Sequence, residues 1–151
     1  MELAHVRESL SAHVAAKGAA LRAKFGPDLD WREMLLILQD KSLVRYPCGI
    51  VFDDKDLLPG ECVFPAPQSE RPEGGFILYV HPYFSTRRSW AVYPLLYQLV
   101  AVNYGDFASA DDAETFGAAA LGISKDDYYH ALCELGEIVT RWNVDEAALV
   151  A

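Results

Sequence analysis

Five prolines crowd the middle of this chain, Pro47, Pro59, Pro65, Pro67 and Pro72, and they forbid any long helix there. What lies between them is β-type. Residues 50–52, 62–64 and 76–80 are short apolar runs, separated by Pro59-Gly60, by Pro65, Pro67 and Pro72, and by Gly74-Gly75. In the third run Phe76, Leu78 and Val80 point one way, and Ile77, Tyr79 and His81 the other. Bulk on both faces marks a central strand. Pro47 and Pro65 cannot donate to a ladder, which assigns their segments to sheet edges or strand ends.

The flanks are helical. Leu3, Val6, Leu10, Val14, Leu21 and Phe25 recur at near-helical spacing over residues 2–25, with Arg7, Glu8, Lys17 and Arg22 mostly elsewhere. Gly26-Pro27 ends that helix. Asp30 and Glu33 have capping-box spacing and open a second helix, whose run Met34-Leu35-Leu36-Ile37-Leu38 is apolar on most faces and so predicts burial. Three more helices are expected downstream. The first covers residues 92–104, with Pro94 in its first turn and Gly105 closing it. The second starts after Ser109, with Asp112 at capping-box spacing, and stops at Gly122. The third starts after Ser124, with Asp127 in the matching position, and runs to about Trp142.

This order predicts an α+β fold, a small, mainly antiparallel sheet of about three to four strands packed by about five helices. At 151 residues one domain is expected, with an N-terminal helical part (1–42), a β-region (43–88) and a C-terminal helical part (89–151). The N-terminal helix has an apolar stripe that calls for cover, from the sheet or from a second subunit.

Charge narrows the function. With 22 acidic against 13 basic side chains the net charge is −9. That field repels phosphate backbones and anionic lipid, and no basic stripe with interleaved aromatics overrides it. Neither nucleic acid nor membrane is an expected partner. Residues 90–102, the longest apolar stretch, contain Pro94 and Gln98 and are too short to span a bilayer. Cys48, Cys62 and Cys133 are far apart and form no C-x-x-C pair, so neither a zinc ribbon nor a disulfide framework is indicated. With no leader-like pattern at Met1-Glu2-Leu3-Ala4-His5, a cytoplasmic location is expected.

Few polar groups stand out. Asp53, Asp54, Asp56 and Glu61 lack the layout of a calcium loop and read as a solvated turn. Asp111, Asp112, Asp126 and Asp127 fall in first helical turns, where each contributes about 0.3–1 kcal/mol against the helix dipole. Asp106 and Glu114 have no such role. His81-Pro82-Tyr83-Phe84-Ser85-Thr86-Arg87-Arg88 leaves the central strand, a position where a rigid element presents its loop. There His81 has the chemistry of an acid or base, and Arg87 and Arg88 that of an anion site. Each also has a structural reading, as a hydrogen-bonded histidine at a sheet edge and as arginines among abundant carboxylates. Gln98 is the sharpest anomaly. Its neighbours from Leu95 to Val102 are almost all apolar, and a buried amide without partners costs about 1–3 kcal/mol. It either ties its helix to a neighbour or floors a polar pocket with His81, His130 or Tyr97. G-x-S-x-G, P-loop and G-x-G-x-x-G patterns are absent.

The β-run Gly75-Phe76-Ile77-Leu78-Tyr79-Val80-His81-Pro82, the apolar helix Leu95 to Gly105 and the acidic helix start Asp111-Asp112-Ala113-Glu114-Thr115-Phe116-Gly117-Ala118-Ala119-Ala120-Leu121 resemble in layout small bacterial zincin-like metallopeptidase domains. The resemblance spans about the last two-thirds of the chain and implies a β-edge followed by the metal-binding helix. Zincins hold zinc with two histidines at i and i+4 around a glutamate. With Gln98 at the glutamate position the flanking residues are Tyr97 and Ala101, and a shifted register offers Gln98 and Val102. No metal site, cofactor or protease activity carries over. The expectation is therefore a non-catalytic binding or accessory domain, on a scaffold like an inactive zincin, working with a protein partner or as a homodimer. The alternative is a hydrolase-type enzyme around His81, Arg87 and Gln98, with Tyr83 and His130 completing the candidate pocket.

Overall fold

The computed structural model describes the backbone of residues 3–150 and the side chains of residues 9–145. Its elements are α1 (Leu3–Phe25), α2 (Trp31–Leu38), β1 (Cys48–Phe52), β2 (Val63–Pro67), β3 (Phe76–Val80), α3 (Arg88–Tyr104), α4 (Ala110–Leu121) and α5 (Lys125–Val150). Short 3-10 turns lie at Pro72–Gly74, Pro82–Thr86 and Gly105–Phe107. The fold is α+β, with five helices around one small sheet.

β3 is the central strand, in the order β1-β3-β2. It pairs parallel with β1 and antiparallel with β2, so the sheet is mixed and not mainly antiparallel. The physical reason is insertion: β1 and β2 run in opposite directions, and β3 returns between them instead of beside β2 alone. β2 tolerates two prolines because it is an edge. Gln68 N–H donates to Gly75 O at 3.0 Å, and strand alternation turns the even-numbered amides of β2 inward. Pro65 and Pro67 then sit where no ladder bond is missed.

Local chemistry fixes the helix starts. Asp30 caps α2 and Ser109 caps α4, each in a closed capping box with Glu33 and Asp112 respectively. The end of α2 is tied to α1 through Asp40, which pairs with Lys24 and accepts from Ser42; the Lys24 ammonium, then the Ser42 hydroxyl, lower its carboxyl to about 2. α3 begins at Arg88, four residues before the expected start, and Pro94 lies inside it. The missing N–H leaves the carbonyl of Trp90 without its helical donor, and Trp90 is itself an exposed residue. α5 continues beyond Trp142 to Val150.

The core gathers Leu78 and Val80 of β3, Met34 and Ile37 of α2, Leu95, Leu96 and Leu99 of α3, and Phe116 and Ala120 of α4. Each large side chain buried there is worth about 1.5–3 kcal/mol. Only one face of the eight-residue α2 reaches this core. Leu35 and Leu36 remain 41% and 46% exposed, against the expected burial of the whole run. α1 packs on α4 rather than on the sheet: Val14 and Leu21 are buried, and Gly18 brings the two helices so close that a Cβ there would lie 2.6 Å from the Phe116 carbonyl oxygen. The start of this helix at residue 2 and the stripe side chains of Leu3 and Val6 lie outside the described residues. Asn103, buried on α3, accepts from Arg45 N–H at 2.9 Å and donates to Leu43 O at 2.7 Å, pinning the segment before β1. No helix of the described residues is long and apolar enough to cross a membrane.

Candidate functional site

The exit of β3 carries the first polar group. His81 is 1% exposed, and both ring nitrogens are engaged. Nδ1 accepts from Tyr83 N–H at 3.0 Å, so the proton belongs on Nε2, which donates to Asn143 Oδ1 at 2.8 Å. The Asp54 carboxylate stands 3.8 Å from Nε2. Arg87 donates to Tyr83 O at 3.0 Å and lies over the rings of Tyr83, at 4.3 Å, and Trp142, at 5.6 Å. His81, Tyr83 and Arg87 thus meet as expected from their spacing, but as a clasp fastening the 3-10 turn to α5. A histidine whose Nδ1 must accept a backbone N–H has no free lone pair with which to take a substrate proton.

Gln98 lies elsewhere, in a cleft of 320 Å³ walled by α3, α4, α5 and the loop entering β2. Helical spacing places its walls. On α3, Pro94, Tyr97 and Gln98 stand at i, i+3 and i+4 and share the face toward the cleft, while Leu95, Leu96 and Leu99 are buried on the other side. On α5, Tyr129, Leu132, Cys133 and Gly136 follow one another at i, i+3, i+4 and i+7. α4 contributes Glu114, one turn before Gly117. That glycine seats the buried ring of Tyr128, since a Cβ on it would come within 2.2 Å of Tyr128 Cζ. Tyr128 donates to Tyr93 O at 2.6 Å and so locks α5 to α3 beside the cleft. Gly60 and Gly136 allow the loop to meet α5, a Cβ on Gly136 lying 3.3 Å from Gly60 O.

The polar groups of this cleft are unlike those around His81. Among the described residues neither the Gln98 amide nor the Glu114 carboxylate has a hydrogen-bond partner or an ion pair with the protein. Glu61 uses one oxygen to accept from Leu58 N–H at 2.7 Å. Burial, then the Glu61 charge, pushes the Cys62 thiol up to about 12. Burial and the Glu114 carboxylate raise Tyr97, and the Cys133 thiol beside Tyr129 raises that phenol. Cys62, Tyr97 and Tyr129 are thus neutral at physiological pH. The lining contains no histidine, lysine or arginine, hence no nucleophile–base pair of the usual kind. No group of three metal-ligating side chains is assembled among the described residues.

His130 is exposed on α5 with its ring edge-on to Tyr129 at 6.0 Å, outside the cleft lining. The five expected pocket residues therefore fall in three places. Missed at first were Glu61, Cys62, Tyr129 and Cys133, and the clasp partners Asn143 and Trp142. A signal for part of this existed in the i, i+3, i+4, i+7 series on α5. Compared with models of known families, with curated proteins and with solved structures, the chain matches none. The zincin-like layout accordingly rests on the order of elements alone.

Proposed function

We propose that this chain is a non-catalytic binding domain whose cleft between α3, α4 and α5 holds a small molecule. One observation carries it: Gln98 and Glu114, polar groups with no structural partner among the described residues, open into the same mixed-polarity recess. Small-molecule sites have this make-up, mostly apolar walls with a few converging polar groups, and 320 Å³ is at the small end of their range. The hydrolase alternative gains less support. His81 is committed to Tyr83 and Asn143, and neither it nor Arg87 lines the recess that contains Gln98.

A nitrogen-15 amide spectrum under a fragment screen tests this directly, because the Gln98 side-chain NH2 is visible in it. Fragments are expected to move the Gln98 amide together with the Tyr97 and Cys133 backbone signals. Hits that gather on Tyr83, Arg87 and Asn143, leaving Gln98 unmoved, overturn the proposal. A cytoplasmic setting belongs to the same reading, supported by three free cysteines. So does an accessory role beside a protein partner or a second copy, supported by exposed Leu35, Leu36 and Val51; light scattering that returns a strict monomer at high concentration removes the homodimer.

A further inference from the structure

Resting on that reading, we infer that the cleft's ligand is a small organic cation, an ammonium head on an apolar body, held by Glu114 with Gln98 and the faces of Tyr97 and Tyr129. Charge decides the class. Two carboxylates, Glu61 on the loop and Glu114 on α4, line the recess, and no cationic side chain does. Glu114 is a half-buried carboxylate with no ion pair among the described residues, so an incoming cation would be its first counter-charge there. Burial raises the phenols of Tyr97 and Tyr128, and Cys133 that of Tyr129, with the Glu114 charge adding a smaller push to all three. An anion entering the same space meets two carboxylates and no cation.

The remaining walls suit the body of such a ligand. Tyr97 and Tyr129 present aromatic rings, which attract a cation over their faces, while Val63, Pro94 and Leu132 supply apolar surface. Gln98 has a carbonyl to accept an ammonium N–H and an amide to orient a polar substituent. A metal ion does not fit the same donors, because no three ligating side chains converge among the described residues and burial keeps Cys62 a thiol rather than a thiolate.

The test uses the full chain at pH 7 and matched probes that differ only in head group: 2-phenylethylammonium, 2-phenylethanol and phenylacetate, with cyclohexylmethylammonium and cyclohexylmethanol as a second body. The ammonium compounds are expected to shift the Gln98 side-chain amide saturably and to bind at least about tenfold more tightly than the alcohols, with phenylacetate inert. Glu114→Gln is expected to lower ammonium affinity by about tenfold, equivalent to about 1.4 kcal/mol, and to leave the alcohols unchanged. If alcohols and amines bind alike and Glu114→Gln changes neither, the cation assignment fails while the binding cleft stands. If no probe moves a cleft resonance, both fail.

Discussion

Two polar neighbourhoods lie along α5, and Cys62 belongs to both. Its carbonyl accepts from His81 N–H at 2.8 Å, while its side chain lines the cleft with Gln98. Gly136 and Asn143, which mark the two neighbourhoods on α5, are two helical turns apart, about 10 Å. In the first, every polar atom of His81 has a protein partner, and Arg87 is stacked on two rings. In the second, Gln98 and Glu114 have none among the described residues. Polar groups bonded within the protein hold a structure together, and solvent-facing ones without a protein partner in a concavity are open to something from outside. Residue type alone would have ranked them the other way, since histidine and arginine look more like chemistry than glutamine does.

Substitutions separate the two. The largest effect is expected from His81→Ala, which strands the Tyr83 N–H and opens a cavity at the strand exit. We expect a loss of about 2–4 kcal/mol in urea unfolding; a loss below about 1 kcal/mol would show that the clasp contributes little. Gly117→Ala is next. It forces the Tyr128 ring off α4 and is expected to cost about 1–3 kcal/mol, visible as a lower melting temperature with altered near-ultraviolet dichroism. Arg87→Ala removes exposed cation–π contacts worth about 0.5–1 kcal/mol. Glu114→Gln is expected to change stability by less than about 0.5 kcal/mol, because nothing in the fold depends on that charge. A penalty as large as that of His81→Ala would erase the contrast.

Cysteine chemistry offers a kinetic version of the comparison. With its thiol at about 12, Cys62 is almost wholly protonated at pH 8, and iodoacetamide should leave it unmodified in the native protein. Exposed Cys133 should alkylate first, and a ligand in the cleft should slow it. Rapid labelling of Cys62 by mass spectrometry would contradict the environment described for it.

Much of the fold was legible because it follows from local physics. Asp30 and Ser109 announce their helices by cap chemistry, Pro65 marks an edge by its missing donor, and the two-sided bulk of residues 76–80 marks the centre. The parallel pairing of β1 with β3 was not legible, since strand direction depends on where β3 inserts and no residue in β1 encodes it. Pro94 misled for a related reason: it fits a first turn, yet tertiary packing carries α3 back to Arg88 and tolerates it inside. The site was half legible. Gln98 was conspicuous in an apolar helix, and Glu114 lacked a capping role, but only the packing of α3 against α4 and α5 brings them to one recess. Cys62 and Cys133 stand 71 positions apart, a spacing that gives no hint of a shared cleft.

Thermal unfolding of the wild type, His81→Ala and Glu114→Gln, each with and without saturating 2-phenylethylammonium, tests the separation of clasp and cleft most directly. The account predicts that only His81→Ala melts early without ligand. It also predicts that the wild type and His81→Ala gain similar stability from the amine while Glu114→Gln gains about 1.4 kcal/mol less, as tenfold weaker binding to the native state requires. An amine response that is lost in His81→Ala and kept in Glu114→Gln would reverse the assignment and move the binding site to the exit of β3.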